Sequence, residues 1–375
     1  MDGIININKE RGFTSHDVVA KLRGILGIRK IGHTGTLDPD ATGVLPVCVG
    51  RATKVCDVLT DRDKSYEAKV VLGITTDTLD TSGEIREIKA VNVDRDGLTA
   101  VLSHFKGEIT QIPPMYSAVK INGKKLYEYA REGKEIERKE RHVTIYELEL
   151  LGDDLFSWKP DKSGSVQADL SVKTNPDQHG EFDPSGSDMG IDVDRLPSFD
   201  IRIRCSKGTY IRTLCDDIGR ELGCGACMAS LVRTAVGRFG IDDALTLSEV
   251  EERVKNHRDE TDRCDDSDKV MPDWILPVDR VFDGYPGMQV VEEGMKLLTN
   301  GNPLPDRLLQ DYRKSDPAGD DQIAAVEDSS LYIQDGSREK KNGNLVRIYG
   351  SDGDFYALYR YEKGRNIYKV EKYFH

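Results

Sequence analysis

No run of about eighteen apolar residues occurs anywhere in the 375-residue chain, which excludes an apolar membrane-spanning helix. The opening MDGIININKERGF lacks the basic and then apolar regions of a secretory signal, so the expected location is the cytoplasm and no membrane partner is expected. A disulfide framework is missing as well. The seven cysteines (Cys48, Cys56, Cys205, Cys215, Cys224, Cys227, Cys264) are odd in number and scattered through a large chain, which suits reduced thiols. Only Cys224 and Cys227 form a C-x-x-C, and no second Cys or His pair stands out at zinc-ligand spacing. That pair reads as two small buried residues near a helix end, with no metal expected.

Positive charge is also short, at a formal net charge of −13, which argues against a partner made of phosphates. The distribution reverses this argument. Residues 153–198 hold ten acids against four bases and residues 249–273 ten against five, so these two segments carry most of the excess. Residues 106–141 hold nine bases against six acids, and residues 201–240 seven against three. Two basic regions therefore remain, each beside motif-like sequence.

The stretch DKSGSVQADLSVKTNPDQHGEFDPSGSDMG has no sustained apolar period and reads as a surface insertion or disordered loop. EERVKNHRDETDRCDDSDK begins as a helix end and continues as a polar linker, which puts a domain boundary near residue 272. A third polar stretch, about 312–344, precedes LVRIYGSDGDFYALYRYE, a hairpin whose turn is Ser-Asp-Gly-Asp. Strand patterns appear in SYEAKVVLG and in the period-two FDIRIRC. After SKGT the spacing of Ile211, Leu214, Ile218 and Leu222 is helical, with Gly223 as its stop. An earlier helix is expected at SHDVVAKLRGILG, capped by Ser15 and striped by Val18, Val19, Leu22 and Leu26. Strands and helices without strict alternation predict an α+β class with a mixed sheet.

The segment GHTGTLDPDATG raises the chemical question. Asp38 precedes Pro39, which pushes it towards an extended conformation in a loop, and Gly35 and Gly43 allow close approach of a ligand or of another backbone. Asp before Pro is also common turn chemistry, so local physics leaves turn former and reagent both open.

The wider blocks narrow the choice. GIININKERGFTSHDVV, GHTGTLDPDATGVLPVCVGRATK, KSYEAKVVLGITTDTLDTSGEI, QIPPMYSAVKINGKKLYEYAREG, CSKGTYIRTLCDDIGRELGCGA and LVRTAVGRF, in this order, closely resemble the bacterial TruB-type tRNA pseudouridine-55 synthases over most of residues 3–240. The resemblance implies a pseudouridine synthase fold, with a mixed and mainly antiparallel sheet flanked by helices and loops. It implies a catalytic domain over 1–272, a thumb-like RNA-binding insertion at about 106–142, and a small, mostly β, PUA-like domain over 273–375.

By the same resemblance Asp38 is the nucleophile that allows uracil to leave the ribose at N1 and rejoin through C5. Attack on C1′, attack on C6 and a glycal intermediate all remain open. A carboxylate is already ionised at neutral pH, and the isomerisation exchanges no electrons, so no cofactor is implied. Tyr66 is implied to stack on the target base, where a plain strand aromatic is the bland alternative. Arg212 is implied to pair with the nucleophile, against a surface ion pair at a helix start, where a positive charge gains nothing from the dipole. His33 is implied to enter the T loop and fill the space of the flipped nucleotide. Lys9, Lys207 and Tyr210 match further RNA-binding positions that support the pocket. Lys120, Lys124, Lys125 and Arg131 interleave with Tyr116, Tyr127 and Tyr129 as an RNA-facing surface does, or as a solvated helix face.

The implied partner is the T stem-loop of tRNA, without guide RNA, met by a monomer. The insertions at about 153–198 and 312–344 have no counterpart in shorter members of the family and are expected to project away from RNA. Two other functions fit the same words: a pseudouridine synthase for a different RNA, and an RNA-binding chaperone that folds tRNA.

Overall fold

The computed structural model describes residues 2–152, 196–261, 271–312 and 343–375. The acidic stretch 153–198 and the polar stretch 312–344 lie almost wholly outside the described residues, as do residues 262–270 with Cys264. The chain forms two compact units, one of Met1–Pro39, Gly43–Asp61 and Val236–His375, the other of Asp40–Thr42 and Arg62–Ala235.

In the first unit, β1 (Gly3–Lys9) and β3 (Thr42–Val49) run antiparallel from Gly3↔Val49 to Lys9↔Gly43. The short β2 (Ile31–His33) also pairs with β3, His33 opposite Val47. Alternate residues of these strands serve two cores. Ile5, Ile7, Leu45 and Val47 join the α1 (Ser15–Leu26) stripe of Val18, Val19, Leu22 and Leu26. Ile4, Val44 and Cys48 join a cluster with Ala52, Val55 and Leu59, the last from α2 (Cys56–Thr60). With both faces covered, β3 reads as an apolar run rather than as alternation.

The α1 stripe is as expected, but the cap is not Ser15. Thr14 Oγ1 accepts from the Asp17 amide while Asp17 returns the bond to the Thr14 amide, a reciprocal capping box. This frees the Ser15 hydroxyl for another partner.

The second unit contains β4 (Lys64–Leu72), the β5–β6 hairpin (Ile74–Thr76, Ile85–Ile88), α3 (Arg95–His104) and β7 (Gly107–Gln111). A two-residue pair follows, β8 (Lys120–Ile121) and β9 (Lys124–Lys125), then α4 (Leu126–Arg131) and β10 (Arg141–Leu151). The last elements are β11 (Ser198–Cys205), α5 (Ile211–Glu221) and β12 (Ala226–Val236). Its strands lie in the order β12-β4-β11-β10-β7, with β11 antiparallel to both β4 and β10. The period-two pattern of FDIRIRC is realised: Phe199, Ile201, Ile203 and Cys205 are buried, Asp200 and Arg202 exposed.

The chain then returns to the first unit through β13 (Phe239–Gly240) and α6 (Leu247–Thr261), whose Leu247, Val250 and Val254 pack into the α1 cluster. A six-stranded C-terminal sheet completes it, in the order β15-β19-β18-β17-β14-β16. Its strands are β14 (Gly287–Val290), β15 (Leu304–Pro305), β16 (Leu309–Asp311), β17 (Leu345–Tyr349), β18 (Phe355–Glu362) and β19 (Ile367–Tyr373), with α7 (Met295–Thr299) between β14 and β15. The expected hairpin is β17–β18, closed at Tyr349↔Phe355 around Ser-Asp-Gly-Asp. The class is α+β.

Candidate active site

Asp38 lies half-buried in the loop between β2 and β3, and the backbone on each side of it is anchored. On the N-terminal side the Leu37 amide donates to Ser15 Oγ at 3.0 Å, a hydroxyl that is itself fully buried at the start of α1. On the C-terminal side the Pro39 carbonyl accepts from the Gly12 amide at 2.9 Å and from Lys9 Nζ at 3.1 Å. The Lys9 ammonium also donates to the carbonyls of Glu10 at 3.1 Å and Phe13 at 2.6 Å, and the residue is 0% exposed. Gly35 and Gly43 bracket the loop at φ 108° and 100°, which side-chain-bearing residues rarely adopt. Two fixed peptide groups thus hold Asp38 between them, while Asp40 sits exposed in the turn that follows Pro39.

This corrects the grouping of Lys9 with RNA contacts. A fully buried ammonium spent on three main-chain carbonyls is a clamp on the loop, because a group with no exposed surface has no reach to a phosphate. His33, at the end of β2, has Nδ1 3.2 Å from the Gly35 carbonyl. A carbonyl only accepts, so Nδ1 carries the proton there.

In the second unit Arg212 is the second residue of α5 and is 7% exposed, which rules out a surface ion pair. Nη1 donates to the Thr78 carbonyl at 3.0 Å and Nη2 to the Tyr116 carbonyl at 2.8 Å, and Nη1 lies 3.5 Å from Asp80 Oδ2. The fork is therefore fixed from several sides. Tyr66, on β4, is 8% exposed, and its hydroxyl accepts a hydrogen bond from Arg233 on β12. Burial pulls the Arg233 guanidinium below its ordinary value, and the Tyr66 hydrogen bond opposes that fall.

Tyr210 precedes α5 and exchanges two bonds with the buried Gln111 side chain: its amide donates to Oε1 at 3.0 Å and its carbonyl accepts from Nε2 at 3.2 Å. Lys207 is exposed on the turn between β11 and α5. In the basic block, Lys124 Nζ lies 4.7 Å over the Tyr129 ring, Lys125 Nζ 5.3 Å and the Arg131 guanidinium 5.4 Å from the Tyr127 ring. Lys124 also pairs with Glu132, and Lys120 and Arg131 are exposed. The charges are pre-arranged over aromatic faces rather than left loose.

Sequence reasoning missed Asp80, Arg233, Gln111 and the second task of Ser15. Asp80 and Arg233 stand inside blocks already quoted, yet a carboxylate in TTDTLDTSGE carries no local sign of a guanidinium that arrives from α5. Cys224 and Cys227 are buried just after α5, and burial pushes the Cys227 thiol up to about 12. Among the described residues, no group of three or more His, Cys, Asp or Glu is placed to hold a metal ion. No helix among them is long and apolar enough to cross a membrane.

The profile of the TruB family pseudouridylate synthase (N terminal domain) matches residues 23–173, and that of the tRNA pseudouridylate synthase B C-terminal domain matches residues 212–283. Over 374 residues, 100% of both chains, the sequence is 42% identical to the tRNA pseudouridine synthase B of Lachnoclostridium phytofermentans. The chain belongs to the TruB family. Another TruB relative, the tRNA pseudouridine synthase B of Geobacillus thermodenitrificans, is 41% identical over 303 residues, 80% of this chain and 85% of its own. In structure, the TruB chain matches an H/ACA RNP bound to a substrate RNA containing 2'-deoxyuridine, with TM-score 0.59 and 23% identity over 100% of this chain and 85% of that one. At that identity the likeness speaks for the pseudouridine synthase fold.

Proposed function

We propose that this chain isomerises uridine 55 in the T loop of tRNA to pseudouridine, with Asp38 as the nucleophile. The full-length 42% identity to a relative named tRNA pseudouridine synthase B carries the reading. In the reaction the N1–C1′ bond breaks, a C5–C1′ bond forms, C5 loses its hydrogen and N1 gains one. Atoms and electrons balance without an outside reagent. The two-sided anchoring of the Asp38 backbone supports the nucleophile, since a carboxylate aimed by fixed neighbours loses less freedom in reaching its attack geometry. Tyr66 stacks on the flipped uracil, Arg212 keeps the nucleophile ionised, and His33 takes the vacated place in the loop. Asp80 and the two carbonyls on Arg212 support its role by fixing the guanidinium plane.

The basic block from Lys120 to Arg131 and the turn at Lys207 face the T stem, and the protein acts as a monomer in the cytoplasm without a guide. The test is tritium release from tRNA labelled at uridine C5. Wild type releases label from tRNA with uridine 55 and not from tRNA carrying cytidine there, while Asp38→Asn releases none, a loss of at least about a thousandfold. Retained release by Asp38→Asn overturns the nucleophile. Retained release from the cytidine-55 tRNA overturns the position.

A further inference from the structure

The first turn of α1 touches the proposed catalytic loop twice. Ser15 Oγ holds the Leu37 amide, next to Asp38. One residue on, the His16 ring meets the His33 ring at 5.1 Å between centroids and 73° between planes, an edge-to-face contact. The turn that presents both side chains is locked by the Thr14–Asp17 capping box, so His16 projects from a fixed base.

We infer that His16 is a positioning residue for His33, holding its ring in the orientation that enters the RNA loop when the uridine leaves. The inference rests on the base-flipping role given to His33 above. A lone imidazole at a strand end turns about two side-chain bonds. The Gly35 carbonyl fixes one edge of His33 through Nδ1, and His16 supplies a second, non-collinear restraint. Each added non-collinear restraint narrows the range of orientations open to the ring. His16 is exposed and belongs to none of the three apolar clusters described in its unit, so packing the interior does not account for an aromatic ring there. Replacing it loosens a ring without opening a cavity.

The experiment follows flipping separately from chemistry, using a T stem-loop RNA with 2-aminopurine beside the target uridine and tritium at its C5. His16→Ala is expected to slow the fluorescence rise and lower kcat/KM about three- to tenfold, the range of one aromatic pair, with RNA binding and melting temperature unchanged. His16→Phe, which keeps a ring edge, restores the rate. In the His33→Ala background His16→Ala adds nothing, because the ring it positions is gone. Wild-type flipping in His16→Ala, no rescue by His16→Phe, or additive losses in the double variant overturn the positioning role. If His33→Ala alone leaves flipping unchanged, the base-flipping role of His33 falls first, and this inference with it.

Discussion

At the level of single residues, the Asp38 loop depends on a lysine that never meets solvent. Lys9 Nζ donates to three carbonyls: those of Glu10 and Phe13, and the Pro39 carbonyl beside the proposed nucleophile, which it shares with the Gly12 amide. Lys9→Met keeps the stem and removes the donor. Unsatisfied buried acceptors cost roughly 1–3 kcal/mol each, and Gly12 still serves Pro39, so a loss of about 3 kcal/mol is expected in denaturant titration. Isomerisation is expected to fall at least about tenfold, because the Pro39 carbonyl keeps only its Gly12 bond and the backbone that follows Asp38 is held less tightly. A variant as stable and as fast as wild type would show that the clamp has no consequence. The sequence named Asp38, Tyr66, Arg212 and His33 only through the family's words, since Asp-Pro in a loop and Tyr in a strand are ordinary. One local signal was stronger than its reading: Thr14 stands three residues before Asp17, the capping-box spacing, whereas Ser15 faces Val18 at that distance. Non-local pairs such as Arg212 with Asp80 left no mark, because their partners are 132 positions apart in the numbering.

Among the elements, β11, the turn and α5 were legible, since period two and then helical spacing are properties of neighbouring residues. The charge inside α5 was not. Asp216 and Asp217 lie on the same helix as Arg220, which pairs with Asp216 and comes within 3.7 Å of Asp217. Burial raises both carboxyls all the same, Asp217 to about 6, with the Asp216 charge adding and Arg220 opposing. A folded value above the ordinary 3.8 means that the folded state keeps the Asp217 proton longer than the unfolded chain does. The contribution of Asp217 to stability therefore falls as pH rises from about 4 to about 6, and stays at the lower level above that. Asp217→Asn removes this dependence. Relative to wild type the variant is expected to gain about 1–2 kcal/mol between pH 4 and pH 8, after allowance for partial exposure of the carboxyl. Urea titrations at the two pH values measure it, and an unchanged difference would mean that Asp217 titrates like a surface carboxylate.

For the whole molecule, composition gave a polar segment before residue 272 and a mostly β C-terminal piece, and the six-stranded sheet is there. What composition does not convey is which apolar side chains from that piece are shared. Phe282, Leu358 and Phe374 belong to one cluster with Val44 and Cys48 of β3 and with Ala52, Val55 and Leu59 around α2. Phe374 is 3% exposed, its ring 5.6 Å from that of Phe282 and 5.3 Å from that of Phe355. Lys372 of β19 adds an ion pair with Asp57 of α2 at 2.5 Å. Long-range contacts of this kind carry no periodicity, so only the folded chain reveals them. Elements that share one buried cluster are expected to open together, so β3 and the C-terminal sheet are expected to behave as one cooperative body. Phe374→Ala, which costs about 3–5 kcal/mol as a buried aromatic deletion, should then be felt at both ends of the chain. Hydrogen exchange is expected to quicken by similar factors in peptides from β3 and α2 and in peptides from β18 and β19. If only the β18 and β19 peptides quicken, the C-terminal sheet opens by itself, and the shared cluster does not couple it to the strand that leads out of the Asp38 loop.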